Sequence, residues 1–360
     1  EALFRQFGIC SHVGQLYDPV DKASLLYYKE ATDGQILEEG LTEAGSMSSF
    51  IAAGTANATH GVNTIPFFIY YSMFGLQRVG DLVWLAGDMR CRGFLVGATA
   101  GRTTLNGEGL QHEDGNSHLL AYPVPNLMAY DLAFAYEIAV VVKEGIRRMY
   151  QEQEDIFYYL TVENEDYPMP PMPDGVEESI IKGMYKYRTA DKKRSKLKAQ
   201  LFASGPILNS ALEAQTMLAE QYNVAADVWS VTSFKELHRE ASETERWNRM
   251  HPTTPARKTY IEECLDGEKG VCVVASDYVR TLPDSVSGWF PDGTVCLGTD
   301  GFGRSDSREA LRDFFEVDAR FMVLSVLEAL AKQGQIEVSL VEKGMNELQI
   351  DPEKPNPASS

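Results

Sequence analysis

The period of the apolar positions changes repeatedly along the chain, and each change marks an element. Residues 64–71, TIPFFIYY, are β-branched and aromatic without a charge, the composition of a buried strand. Leu76, Val79, Leu82, Val83 and Ala86 then recur on one face and predict a helix over 74–89. Upstream, Leu37, Leu41, Met47, Phe50, Ile51 and Ala52 fall at mostly helical spacings within 36–61, while 8–28 reads as a loop leading into a short helix. Another short apolar run at 93–99 predicts a second strand. After it, 125–130, 131–150 and 156–162 read as strand, helix and strand. The same alternation returns later, with strands at 198–204, 226–231, 270–276 and 293–297. Helices are predicted over 206–222, 307–315 and 319–333. Alternating strands and helices predict an α/β class with mainly parallel sheets, here as two layered α/β domains.

Between the two series lies ENEDYPMPPMPDGVEE, residues 163–178, whose four prolines and six acidic residues mark a crossover. The expected division is a first domain over 1–165, a linker over 166–190 and a second domain over 191–360. The basic run DKKRSKLK, 191–198, reads as a solvated turn, and no internal repeat is visible.

Charge and composition narrow the classes. A formal charge of −19 and a pI near 4.8 disfavour binding to nucleic acid or to an anionic membrane surface. The longest apolar patch, 66–76, is too short to span a bilayer. Five scattered cysteines without a CxxC motif indicate neither a disulfide framework nor a thiolate metal site, which points to a reducing, cytoplasmic setting. The opening residues EALFRQFG have neither signal-peptide architecture nor an initiator Met and read as the interior of a longer protein.

Candidate chemistry concentrates in GRTTLNGEGLQHEDGNSH, residues 101–118, a polar segment between apolar ones. His112, Glu113, Asp114 and His118 lack a recognised metal spacing. His112 reads either as a proton donor and acceptor in a cleft or as a tether for its loop. Glu39 and Glu43 share a face if their segment is helical, and Glu43 has small neighbours that let a flat group approach. A lone glutamate is nonetheless ordinarily solvated. Tyr70, Tyr71 and Phe74 read first as core and second as a platform for a ring. Gly298, Gly301 and Gly303 read as a structural turn, because the GxGxxG order is missing.

Four long blocks carry a resemblance: QILEEGLTEAG (35–45), IPFFIYYSMFGLQRVGDLVWLAGD (65–88), the 101–118 loop, and LGTDGFGRSDSREALRDFFEVDA (297–319). Together they resemble the decarboxylating component of the pyruvate dehydrogenase complex, homodimeric bacterial type, a thiamine diphosphate family of the transketolase superfamily. The resemblance implies an incomplete transketolase-like pyrimidine-binding domain followed by a transketolase C-terminal-like domain. It implies that Glu43 contacts the aminopyrimidine ring nitrogen from a desolvated pocket that raises its pKa. Tyr71 and Phe74 would flank that ring, and His112, with Glu108 close by, would lie near the reacting carbon. Pyruvate would be decarboxylated and its acetyl equivalent passed to a lipoyl group of the dihydrolipoyl acetyltransferase. Family members anchor the diphosphate through Mg2+ held by a GDG motif and a later asparagine, and this chain has no GDG. The expectation is therefore a fragment or split subunit, completed by a homodimer or a complementary diphosphate-binding chain, and inactive alone. Residues 14–29 match a loop that orders over the family's active site. Two alternatives stand beside this reading: another transketolase-superfamily thiamine enzyme, and a non-catalytic assembly module.

Overall fold

The computed structural model describes residues 3–20, 24, 27–190 and 195–360. The chain opens with α1 (Phe4–Phe7), followed by β1 (Ile9–Cys10) in parallel register with β2 (Glu30–Ala31). The short helix expected toward the end of 8–28, like the 14–29 segment, falls on a stretch whose positions 21–23 and 25–26 lie outside the described residues.

Next, α2 (Glu43–Gly54) starts later than the periodicity suggests. Extended Thr42 caps it, its hydroxyl accepting from the Gly45 N–H, and Gly40 just upstream has φ +73°. Glu39 therefore sits outside the helix and shares no face with Glu43; its carboxylate accepts from the Ser49 hydroxyl. α3 (Ala56–His60) ends at left-handed Gly61. There follow β3 (Phe67–Tyr71), α4 (Leu76–Asp88), β4 (Phe94–Ala98), α5 (Ser117–Ala121), β5 (Leu127–Asp131), α6 (Ala135–Ile146) and β6 (Phe157–Val162). The four strands form a wholly parallel sheet, ordered β3-β4-β6-β5.

β3 is an edge strand, not the buried strand its composition suggests. Phe67, Ile69 and Tyr71 are 48%, 64% and 55% exposed, whereas Tyr70 joins the core. Met47, Phe50, Val79, Val83 and Tyr159 fill one side of the sheet, and Phe94, Met128, Val141 and Tyr158 the other.

The second domain begins inside the expected linker. α7 (Glu177–Lys182) leads to β7 (Met184–Arg188), which pairs antiparallel at the edge of the second sheet. MYKYR is too short and too mixed to announce itself as a strand. Of the basic run, 191–194 lie outside the described residues, and β8 (Leu197–Ala203) takes its end. α8 (Ile207–Gln221), β9 (Val224–Val231), α9 (Phe234–Met250), α10 (Tyr260–Cys264), β10 (Val271–Ala275), α11 (Thr281–Asp284) and β11 (Val295–Leu297) come next. α12 (Arg308–Phe314), α13 (Ala319–Lys332) and α14 (Val338–Glu347) complete the domain. The order is β11-β10-β8-β9-β7, parallel except for β7. Leu201, Leu208, Val228, Val273, Val323 and Leu327 are among its core. Among the described residues no helix is long and apolar enough to cross a membrane.

Parallel strands carry their following loops on one edge, where open α/β sheets present ligand sites. The loop after β4 meets the segments after β10 and β11 there, and it is tied to the turn after β3 through Asp114.

Candidate active site

β3 ends in a single 3-10 turn, Ser72–Phe74, which projects Tyr71 and Phe74 toward the loop after β4. The His112 ring stacks on Tyr71, with centroids 5.2 Å apart at 25°, and meets Phe74 edge-on at 5.2 Å. Tyr71 and Phe74 are 6.1 Å apart at 68°. His112 Nδ1 lies 2.8 Å from Glu108 Oε2 but without hydrogen-bond alignment, so the pair attracts strongly only when the ring is protonated.

The Arg78 guanidinium, from the first turns of α4, covers the other aromatic ring, 4.1 Å from the Phe74 centroid. Its Nη1 is 3.9 Å from Glu43 Oε1. A continuous set of contacts therefore runs from Glu43 through Arg78, Phe74 and Tyr71 to His112 and Glu108. The five residues to which the resemblance gives a site role, Glu43, Tyr71, Phe74, His112 and Glu108, all lie on it. One expectation is corrected: this chain does not enclose Glu43 in a dry pocket. Its side chain is 30% exposed, because α2 starts beside the open edge of β3.

The 101–118 loop differs from its polar appearance in another respect. Arg102, Thr103, Thr104, Leu105, Glu113, Asp114, Ser117 and His118 are buried. They are buried between the two domains, where each polar group needs a partner. Asp114 Oδ1 accepts from Gln77 Nε2 at 2.8 Å and from the Asn116 and Ser117 N–H groups at 3.0 Å. Its Oδ2 accepts from the Ser72 hydroxyl, which ties the turn after β3 to the loop. Asp277, following β10, accepts from the Thr103 N–H, and burial pushes its carboxyl up to about 7. Burial also raises Glu113 to about 7, against the lowering effect of the Arg304 N–H that Oε2 accepts at 2.7 Å. Burial lowers the Arg102 guanidinium, opposed by Asp114, Asp277 and Glu113; it donates to the Thr299 carbonyl at 2.6 Å.

His118 has no place at the rim. It is buried beside Tyr159 and Tyr278, 2.9 Å from Thr161 Oγ1, and burial lowers its pKa. Among the described residues no group of three or more His, Cys, Asp or Glu side chains is arranged to hold a metal. Sequence reasoning missed Ser72, Gln77 and Arg78, and gave Asp114 no role beyond a rejected metal set. The only local signal was their place in the same blocks as the site residues.

The sequence and the fold have counterparts in known proteins. A family model described as the pyruvate dehydrogenase E1 component middle domain matches residues 1–170, and a transketolase-like C-terminal domain matches 183–318. Pyruvate dehydrogenase E1 components from Pseudomonas aeruginosa and Escherichia coli K12 are 55% and 50% identical to 99% of this chain. The chain belongs to the pyruvate dehydrogenase E1 family. It spans 40% of the length of those two family members. Solved structures extend the likeness of fold beyond the family. A Campylobacter jejuni transketolase superimposes with a TM-score of 0.62 at 17% identity, over 82% of this chain and 40% of that one. A split-gene transketolase, described as an inactive beta4 tetramer, gives 0.61 at 16% identity, over 90% and 91%.

Proposed function

We propose that this chain is part of a cytoplasmic pyruvate dehydrogenase complex decarboxylase, contributing the pyrimidine-binding domain (1–165) and the C-terminal domain, whose sheet begins at β7. The complete enzyme would decarboxylate pyruvate oxidatively and reductively acetylate a lipoyl group on the dihydrolipoyl acetyltransferase. The observation that carries this reading is the convergence of Glu43, Tyr71, Phe74, His112 and Glu108 on one rim.

The residues fit thiamine diphosphate. Two rings at an open edge suit a flat heterocycle, and a half-buried carboxylate beside them suits its ring nitrogen. When bound, the cofactor supplies a carbon nucleophile and an electron sink for loss of carbon dioxide. Tyr71 and Phe74 would hold the pyrimidine, and Glu43 would hold a proton against its nitrogen. A ring over the rim would exclude water from Glu43. His112, set by Glu108 and the two aromatic rings, would orient substrate and move a proton at the imidazole. Mg2+ and the diphosphate would be held outside this chain, by a homodimeric partner or a complementary diphosphate-binding chain. The likeness to a split-gene transketolase supports such a division and the inactivity of the chain alone.

The test joins this chain to a diphosphate-binding domain and measures carbon dioxide release from pyruvate and acetylation of a lipoyl domain. Glu43→Ala is expected to lower turnover at least ~100-fold. His112→Ala should cause a smaller fall without loss of cofactor affinity. A near-normal rate for Glu43→Ala removes it from the mechanism. Absence of any pyruvate-dependent carbon dioxide release favours an assembly module, and turnover of ketose phosphates instead favours another thiamine enzyme.

A further inference from the structure

The His112 loop belongs to the first domain by sequence, yet the second domain supplies much of its support. Asp306 O accepts from the Gly107 N–H at 3.0 Å, and the Ser305 hydroxyl donates to the Gly107 carbonyl at 3.0 Å. Arg308 donates from its backbone N–H to Asn106 Oδ1 at 3.1 Å and from Nε to the Thr104 carbonyl at 2.7 Å. The contact nearest His112 is made by its neighbour, Glu113, whose Oε2 accepts from the Arg304 N–H at 2.7 Å.

That contact depends on an unusually close approach. A Cβ at Gly303 would lie 2.7 Å from Glu113 Oε2, 2.9 Å from Glu113 Cβ and 3.2 Å from Leu110 Cα. Gly303 is not in the left-handed region, so its need for glycine here is space and not backbone conformation. Glu113 is 1% exposed, and its Oε1 has no hydrogen-bond partner among the described residues. A side chain that merely filled this space would be apolar, since an unpaired buried oxygen is destabilising.

We propose that segment 299–308 of the C-terminal domain positions the His112 ring, with Glu113 and Gly303 as the positioning residues that set it against Tyr71 and Phe74. This rests on the reading of His112 as part of the pyruvate site, and it gives the C-terminal domain a task in that site. The coupling is mechanical: Glu113 and His112 share a peptide, so displacing the carboxylate turns the imidazole off its aromatic seat. Glu113 touches no reacting atom in this account.

A double-mutant cycle in the complete enzyme tests it, with a direct readout on this chain. Gly303→Ala is expected to lower kcat about tenfold, on the scale of small misplacements of a catalytic group. KM for pyruvate and cofactor affinity should stay within about twofold. In a His112→Ala background the same substitution should cost less than about twofold, because coupled residues are not additive. Glu113→Gln keeps an oxygen for the Arg304 N–H and should recover most of the kcat lost in Glu113→Ala. Independently of turnover, amides 108–112 should exchange about tenfold faster in Gly303→Ala, and the His112 ring signals should shift, while β5 and β10 keep their protection. An equal loss of kcat with and without His112, or unchanged exchange and ring signals, overturns the proposal. If Gly303→Ala does not fold, the Glu113→Gln and Glu113→Ala pair decides by the same criteria. If the unsubstituted enzyme does not act on pyruvate, the functional reading fails, and exchange and ring signals alone decide the positioning.

Discussion

Replacing Asp114 should separate the parts of the site more than any other single change. Its buried carboxylate holds the Ser72 hydroxyl, the Gln77 amide and the N–H groups of Asn116 and Ser117. In Asp114→Ala the buried Ser117 N–H is orphaned, while the part-buried Gln77 amide keeps Met73 Sδ at 3.7 Å. Water reaches the part-buried Asn116 N–H, and Ser72 keeps the Tyr159 hydroxyl at 3.2 Å. One orphaned buried donor at roughly 1–3 kcal/mol and one lost hydrogen bond from Gln77 to a charged group at roughly 1.5–3 kcal/mol give an expected loss of about 2.5–6 kcal/mol. Asp114→Asn keeps an oxygen for the three N–H donors and lets the Ser72 hydroxyl rotate to accept. Its expected loss is only about 1–1.5 kcal/mol, the difference between a charged and a neutral acceptor. Urea unfolding followed by circular dichroism, compared as midpoints at constant m, measures both. In the complete enzyme Asp114→Ala should also lower kcat, since the turn bearing Tyr71 and Phe74 is no longer tied to the His112 loop. Equal effects of Ala and Asn, or a loss below about 1 kcal/mol for Ala, would refute the reasoning.

Three further outcomes are expected. Asp277 has a folded-state pKa of about 7 against an ordinary value of 3.8, so the folded protein keeps this proton where the unfolded chain has lost it. Its contribution to stability therefore falls as pH rises from about 4 to about 7, by up to about 4 kcal/mol; Asp277→Asn should flatten the change in urea midpoint between pH 5 and pH 8, and an unchanged slope contradicts this. Thr42→Ala removes the cap of α2 and should cost about 1 kcal/mol, read as faster amide exchange at residues 45–47, next to Glu43. Gly54→Ala would set a Cβ 2.2 Å from Cys91 Sγ and 2.5 Å from the Arg92 carbonyl, and should lower stability by about 1–3 kcal/mol in the same urea assay.

Local pattern alone was enough for the layered α/β class and for most strands, because a fully buried parallel strand is a short apolar run whatever it pairs with. It failed where burial is one-sided or scarce. β3 reads as buried because its outward residues are as apolar as its inward ones, and only its place at the end of the sheet exposes them. α9 carries few buried apolar side chains, Phe234, Leu237 and Ala241 among them, and its long polar face gave no helical period strong enough to read. The helix over 36–61 was overextended because spacing does not register a cap, and Thr42 sets where α2 begins.

What the sequence by itself determined was which stretches to examine: the resemblance singled out Glu43, the Tyr71–Phe74 pair and the loop with Glu108 and His112 as candidates. Tertiary structure decided how they meet. Asp114 joins the loop to the turn after β3, and Glu113 joins it to Arg304 across 191 positions. No local period encodes such contacts, because the first forms only when neighbouring strands of one sheet bring their ends together and the second only when the ends of two separate sheets are packed.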